Sequence, residues 1–236
     1  YFDYYMLHNM SRAYYETAER LGAFAFVRGK KEEGKARRIG FSFHADAELL
    51  EEILSKHPEL DFVQLQLNYI DWDSPNIQSR QCCEVCRRYG KDVIVMEPVK
   101  GGVLAQIPEA AEKKLRSTQP ELSPAVWALR FAGSMDDVIA VLSGMSTLEQ
   151  MQDNVKNMKD FRPLGEDDKN MLLQMAKEQK ATGPEGTGDF TEYENLTYHG
   201  ISVAAILDTY NSAMVQPNPL FSGEMNYLAN KLLAVG

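Results

Sequence analysis

Cysteine is nearly absent from this chain: Cys82, Cys83 and Cys86 are the only three in 236 residues. An odd number crowded into one segment does not make the disulfide framework of a secreted domain, and the expected compartment is cytoplasmic. Long hydrophobic runs are missing too. No stretch approaches the roughly 20 consecutive apolar residues that span a bilayer, so no membrane partner is expected. Positive charge is in deficit, with 25 Lys and Arg against 34 Asp and Glu. A net charge of −9 makes nucleic acid an unexpected partner, although a helix N-terminus can still bind a phosphate locally. The opening YFDYYMLHNM has no basic leader and does not read as a signal peptide.

Against these absences stand five short apolar runs, FDYYMLH (2–8), RRIGFSF (37–43), DFVQLQLNY (61–69), DVIVMEP (92–98) and DDVIAVL (136–142). They are continuous rather than alternating, the pattern of parallel strands covered on both faces. The intervening segments carry helix signals. Asp46 caps a stretch in which Leu49, Leu50, Ile53 and Leu54 share a face. Ser74 with Pro75, and Ser123 with Pro124, read as N-cap followed by first helical position, and Gly133 is placed to close the second of these helices. Thr147 and Gln150 have capping-box spacing, with Leu148, Met151, Val155 and Met158 on one stripe behind them. One more helix is expected over roughly 166–180. Alternating strands and helices mean right-handed βα units and a parallel sheet. The polar, Gly-rich stretch ATGPEGTGDFTEYENLTYHG then breaks the array before a helical ISVAAILDTYN, dividing the chain into 1–180 and an appendage, 181–236.

Cys83 and Cys86 form a CxxC, but Cys82, Val85, Cys86 and Tyr89 also fall at the i, i+3, i+4, i+7 spacing of a buried helical stripe. Buried core is the stronger of the two readings, because free cysteine behaves as a small hydrophobe. No metal site is expected.

Ligands of parallel α/β folds bind at the carboxyl ends of the strands. There the sequence places DYYMLH ending in His8, GKARRIGFSFH with Ser42, FVQLQLNYID with Gln64 and Asn68, VIVMEPVKGGVLA with its Gly pair, and VIAVLSGMSTLEQMQDN with a Gly-Met-Ser turn into a capped helix. In this order the five motifs resemble the fourth to eighth strands of the aldo-keto reductase barrel, an α/β fold of the (β/α)8 TIM-barrel type. NYIDWDSPNIQSRQCCEVCRRYGKDVIVMEPVKGG is most similar to a bacterial subgroup with a C-terminal ferredoxin-like extension. The resemblance implies an incomplete barrel, lacking three βα units ahead of residue 1, followed by a helical appendage.

The resemblance further implies reduction of an aldehyde or ketone with hydride from NADPH. The family's tetrad is Tyr, Lys, Asp and His, of which only the histidine has a match, His8; its imidazole would orient the substrate carbonyl. Ser42 and Gln64 match the side chains that bind the nicotinamide carboxamide. Met96 stands where many members stack an aromatic ring on the nicotinamide, and Phe43 where many carry Asn. Glu97, Pro98 and Lys100, with Gly144, Met145 and Ser146, match the loops around the adenosine half, and Lys100 reads equally as a pyrophosphate contact or a solvated loop lysine. Gln150, Asp153 and Asn154 match residues near the ribose phosphate and adenine. Ser146 replaces the basic residue common in NADP-preferring members, which leaves NADPH and NADH both open.

The extension departs from its pattern. The positions matching the four-iron cluster cysteines are Thr187, Phe190, Tyr193 and Thr197, with Tyr198 at the proline, and none supplies a thiolate, so no iron-sulfur cluster is expected in this chain. Nearby His199 reads as a surface residue. The implied partners are a small-molecule carbonyl substrate and a redox partner protein. The rival reading is a non-catalytic cofactor-binding or interaction homologue. As written, the chain is expected to be a fragment that is inactive alone.

Overall fold

The computed structural model describes residues 1–159 and 161–181, together with 193, 195–198, 201–204, 206 and 207. Five strands form one parallel sheet in sequence order: β1 (Phe2–Met10), β2 (Ala36–Phe43), β3 (Phe62–Gln66), β4 (Asp92–Met96) and β5 (Val138–Val141). All five apolar runs of the sequence are strands, and each crossover carries helix. α1 (Arg12–Arg20) and α2 (Ala23–Glu32) join β1 to β2, α3 (Ala47–Lys56) joins β2 to β3, and α4 (Ser79–Arg88) joins β3 to β4. A 3-10 turn (Lys100–Ala105), α5 (Glu109–Thr118) and α6 (Pro124–Gly133) precede β5, and α7 (Leu148–Lys159) and α8 (Glu166–Ala181) follow it.

The strand pattern decides which side packs. Ile39, Phe41, Val63, Leu65, Val93 and Val95 alternate along β2–β4 and sink into one core with Leu49, Leu50, Ile53 and Leu54 of α3 and Val126, Trp127 and Phe131 of α6. The opposite face carries Tyr4, Met6 and His8 of β1, all exposed, then Gly40 and Ser42, then Phe62 and Gln64. Cys82, Cys83, Val85 and Cys86 lie buried on α4; burial pushes all three thiols up, so the cysteines are inert core groups.

Capping follows the sequence at α3, where Asp46 accepts from the Leu49 N–H (2.9 Å), and at α6, where Ser123 accepts from Val126 (3.3 Å) with Pro124 next in line. It does not at α4. Ser74 and Pro75 open a turn instead of a helix: Ser74 Oγ accepts from Asn76 and its carbonyl from the Gln78 N–H. Gln78 is left-handed (φ 55°), which breaks any helix begun at Pro75, and α4 starts at Ser79, whose hydroxyl donates to the Gln66 carbonyl. The α7 stripe is also different: α7 buries none of its residues, and Leu148, Met151 and Val155 are exposed.

In the appendage, Thr197–Tyr198 and Ile201–Ser202 form an antiparallel pair, β6 and β7, so ISVAAILDTYN begins as strand, and Val203, Ala204, Ile206 and Leu207 are helical. Positions 187, 190 and 199, and 208–211 of that stretch, lie outside the described residues.

Candidate functional site

Strands β1–β4 bring four of the expected residues to one place. Ser42 of β2 and Gln64 of β3 are direct partners in the parallel register. Gln64 Nε2 lies 3.3 Å from Met96 Sδ at the end of β4. On the other side, Ser42 Oγ accepts from the Asn9 N–H at 2.7 Å, which ties Ser42 to the residue after His8. β1 reaches that position through a bulge: its register with β2 shifts between Leu7 and Met10, and Asn9 takes φ 55°. Bulges of this kind re-aim a side chain at a sheet edge. Here the exposed His8 stands beside buried Ser42, with Gln64 and Met96 half-buried. The geometry presents an imidazole, a hydroxyl whose oxygen already accepts one hydrogen bond, a primary amide and a thioether on one face.

His44, immediately beyond β2, is a neighbour the sequence reading did not use. Burial, assisted by the nearby charge of His8, lowers its pKa to about 4, so its ring is neutral at physiological pH. It lines a small cavity with Phe43, Ala45, Leu65, Gln66, Ile77 and Cys82. A single histidine after an apolar strand carries no sequence signal of its partners.

Beyond Met96 the chain turns sharply. Glu97 and Lys100 have φ of 55° and 49°, and Gly101 and Gly102 follow at 60° and 98°. Glu97 accepts the Gly101 N–H on Oε2 (2.8 Å), and burial raises its carboxyl above the ordinary range. Pro98 is buried beneath this turn. Lys100 corrects its reading as a solvated loop lysine: it is 4% exposed, and its ammonium lies 2.7 Å from Oδ1 of the fully buried Asp71. Burial works to raise the Asp71 carboxyl, but the Lys100 charge and the hydrogen bonds from Lys100, Gln66 and Asn68 outweigh it and hold the group below its usual value. Asp71 was missed because its partner lies 29 positions away, a separation no local pattern reveals.

The start of α7 forms a second cluster. Gly144, Met145, Ser146 and Gln150 are exposed, and Asp153 and Asn154 are half-buried. The capping box is present, with Gln150 N–H donating to Thr147 Oγ1 (3.3 Å). The backbone amides at the start of this helix are engaged: Gln150 Oε1 accepts from Ser146 (2.7 Å) and Thr147 (3.1 Å). An oxygen acceptor already occupies the position a phosphate oxygen would take, so the donor set fits such a group once the Gln150 side chain swings away. Asn154 donates to Ser143 Oγ, and Asp153 accepts from the Ser123 hydroxyl. Gly101, Gly102 and Gly144 have open space where a Cβ would stand, as close approach of a ligand to backbone requires. Among the described residues no group of three His, Cys, Asp or Glu could hold a metal ion, and no helix is long and apolar enough to cross a membrane.

The aldo/keto reductase family matches residues 1–176. Among solved structures, an aldo-keto reductase from Bacillus halodurans in its holo form is 24% identical with a TM-score of 0.58, over 80% of this chain and 62% of that one. An aldo-keto reductase from Klebsiella pneumoniae in complex with NADPH is 16% identical with a TM-score of 0.55, over 75% and 59%. Likeness at these identities establishes the fold, a barrel-type α/β fold of which this chain spans about three-fifths of the neighbours' length. No curated protein matches. A family match over residues 1–176 and a parallel sheet with its five strands in sequence order lead to one conclusion: the chain belongs to the aldo/keto reductase family.

Proposed function

We propose that this chain contributes the carboxamide and adenosine contacts of an NADPH-dependent reductase of small aldehydes or ketones. The observation that carries the reading is the row His8, Ser42, Gln64 and Met96 across adjacent strands in a chain of this family. Bound NADPH supplies a hydride. Ser42 and Gln64 would hydrogen-bond its carboxamide and so fix which ring face is presented. Met96 would pack on the ring, less rigidly than an aromatic side chain. His8 would hold the substrate carbonyl by a hydrogen bond. The start of α7 would take the phosphate, with Gln150 displaced from Ser146 and Thr147. Because Ser146 is neutral, discrimination between NADPH and NADH is expected to be weak.

Fluorescence titration of the 236-residue chain tests the binding half. NADPH should bind, and Gln64→Ala should weaken it roughly fivefold, about the contribution of one hydrogen bond. No saturable binding at millimolar NADPH would sink the reading. Only His8 of the family tetrad has a match, so aldehyde-dependent NADPH oxidation by this chain alone should be slower than in a family enzyme with the full tetrad by on the order of 10²-fold or more. Turnover of an aldehyde panel at ordinary enzyme rates would refute the assignment of roles.

A further inference from the structure

Asp71 is wholly buried and Lys100 nearly so, and burying opposite charges is costly unless their geometry is good and their remaining bonding capacity is used. Both conditions are met. Asp71 Oδ1 takes the Lys100 ammonium at 2.7 Å, and Oδ2 accepts from Gln66 Nε2 at 2.8 Å and Asn68 Nδ2 at 2.7 Å. Asn68 donates in addition to the Glu97 carbonyl (3.0 Å), and its Oδ1 accepts the N–H groups of Ile70 and Asp71. One carboxylate therefore joins the segment leaving β3 to the turn leaving β4.

That turn is the most strained backbone beside the site, with four left-handed residues between Glu97 and Gly102, two of them not glycine. Such conformations persist only where the surroundings over-determine them. The turn begins one residue after Met96, whose sulfur faces Gln64.

We propose that Asp71 and Lys100 are a positioning pair: their buried contact locks the Glu97–Gly102 turn to the end of β3 and so sets where Gln64, Met96 and the turn backbone stand around the cofactor. The inference rests on the cofactor reading above. A pair that served only stability would be replaceable by apolar side chains of similar size, since buried ion pairs often exchange for well-packed apolar groups without loss. A positioning pair is not replaceable in this way, because apolar contacts are non-directional and leave Gln66 without its acceptor and the turn without its Lys100 tether.

The test compares Lys100→Met, the double variant Asp71→Leu/Lys100→Met, and Ile53→Val in α3 as a mildly destabilised control, all in the 236-residue chain. Thermal melting, amide hydrogen exchange over residues 97–106 and NADPH affinity are measured on each. Lys100→Met should lower the melting temperature, and the double variant should recover most of it. Both should nonetheless exchange faster across the turn and bind NADPH about fivefold or more weakly, the loss of at least one well-placed hydrogen bond, while Ile53→Val changes neither. A double variant with native protection of the turn, or with native NADPH affinity, overturns the proposal. If the unmodified chain does not bind NADPH, the cofactor reading has failed; the exchange arm then decides separately whether the pair locks the turn.

Discussion

A Cβ built on Gly40 would meet the Phe62 carbonyl oxygen at 2.2 Å and the Phe62 ring at 2.9 Å. The Phe62 ring is itself held edge-on by Tyr4, with centroids 5.3 Å apart. Neither backbone nor ring can retreat far, so Gly40→Ala should destabilise by more than about 2 kcal/mol, read as a lower urea midpoint; an unchanged midpoint would mean the layer is looser than drawn. His44 makes a prediction of the opposite kind, through protons. Its folded pKa, about 4, lies below the ordinary histidine value because of burial and the neighbouring His8. The unfolded chain therefore takes up a proton before the folded one does. Its contribution is fully present above about pH 6.5 and is lost as pH falls toward 4, on the order of 3 kcal/mol in all. His44→Gln should flatten the decline in melting temperature between pH 6.5 and 5, and an identical decline in the variant would show that other groups cause it.

Among the elements, those whose ends are set by adjacent residues were legible in the sequence, and those set by distant residues were not. Asp46, Ser123 with Pro124, and Thr147 with Gln150 each satisfy an amide within three positions, so the starts of α3, α6 and α7 follow from short patterns. The Ser74–Pro75 pair has the same local pattern but loses to Gln78, whose side-chain oxygen accepts from the Ala47 N–H 31 positions away. That contact accompanies a left-handed residue at the point where a helix begun at Pro75 would have continued. Ser123 adds a longer link, donating to Asp153 of α7 at 2.9 Å. Ser123→Ala should therefore cost more than an isolated cap, about 1–2 kcal/mol, and should loosen α7, which buries none of its residues. Exchange of α7 amides checks the second half: unaltered α7 protection would mean that the Ser123–Asp153 bond does not hold this helix.

For the whole molecule, the order of the strands was readable because each apolar run precedes a helix and right-handed crossovers leave little freedom of topology. The site was readable in part for the same reason: Ser42 and Gln64 lie on successive runs that the register pairs directly. The Asp71–Lys100 pair and the engagement of Ser146 and Thr147 by Gln150 were not readable, since they depend on side-chain geometry after folding. The sheet also has two edges among the described residues, β1 and β5. The first exposes Phe2, Tyr4 and Met6, and the second exposes Ile139 and Leu142, continuing into Leu148 and Met151 of α7. Unpaired strand edges flanked by exposed apolar side chains favour association with another chain. Net charge of −9 opposes such contact only at short range, because salt screens it beyond about 8 Å. The 236-residue chain in physiological salt should accordingly self-associate with rising concentration, measured by light scattering on a sizing column. Placing charge on both edges with Met6→Lys and Leu142→Glu should shift the population toward monomer while leaving the far-ultraviolet circular dichroism unchanged. A chain that stays monomeric at all concentrations would show that these edges are covered in solution.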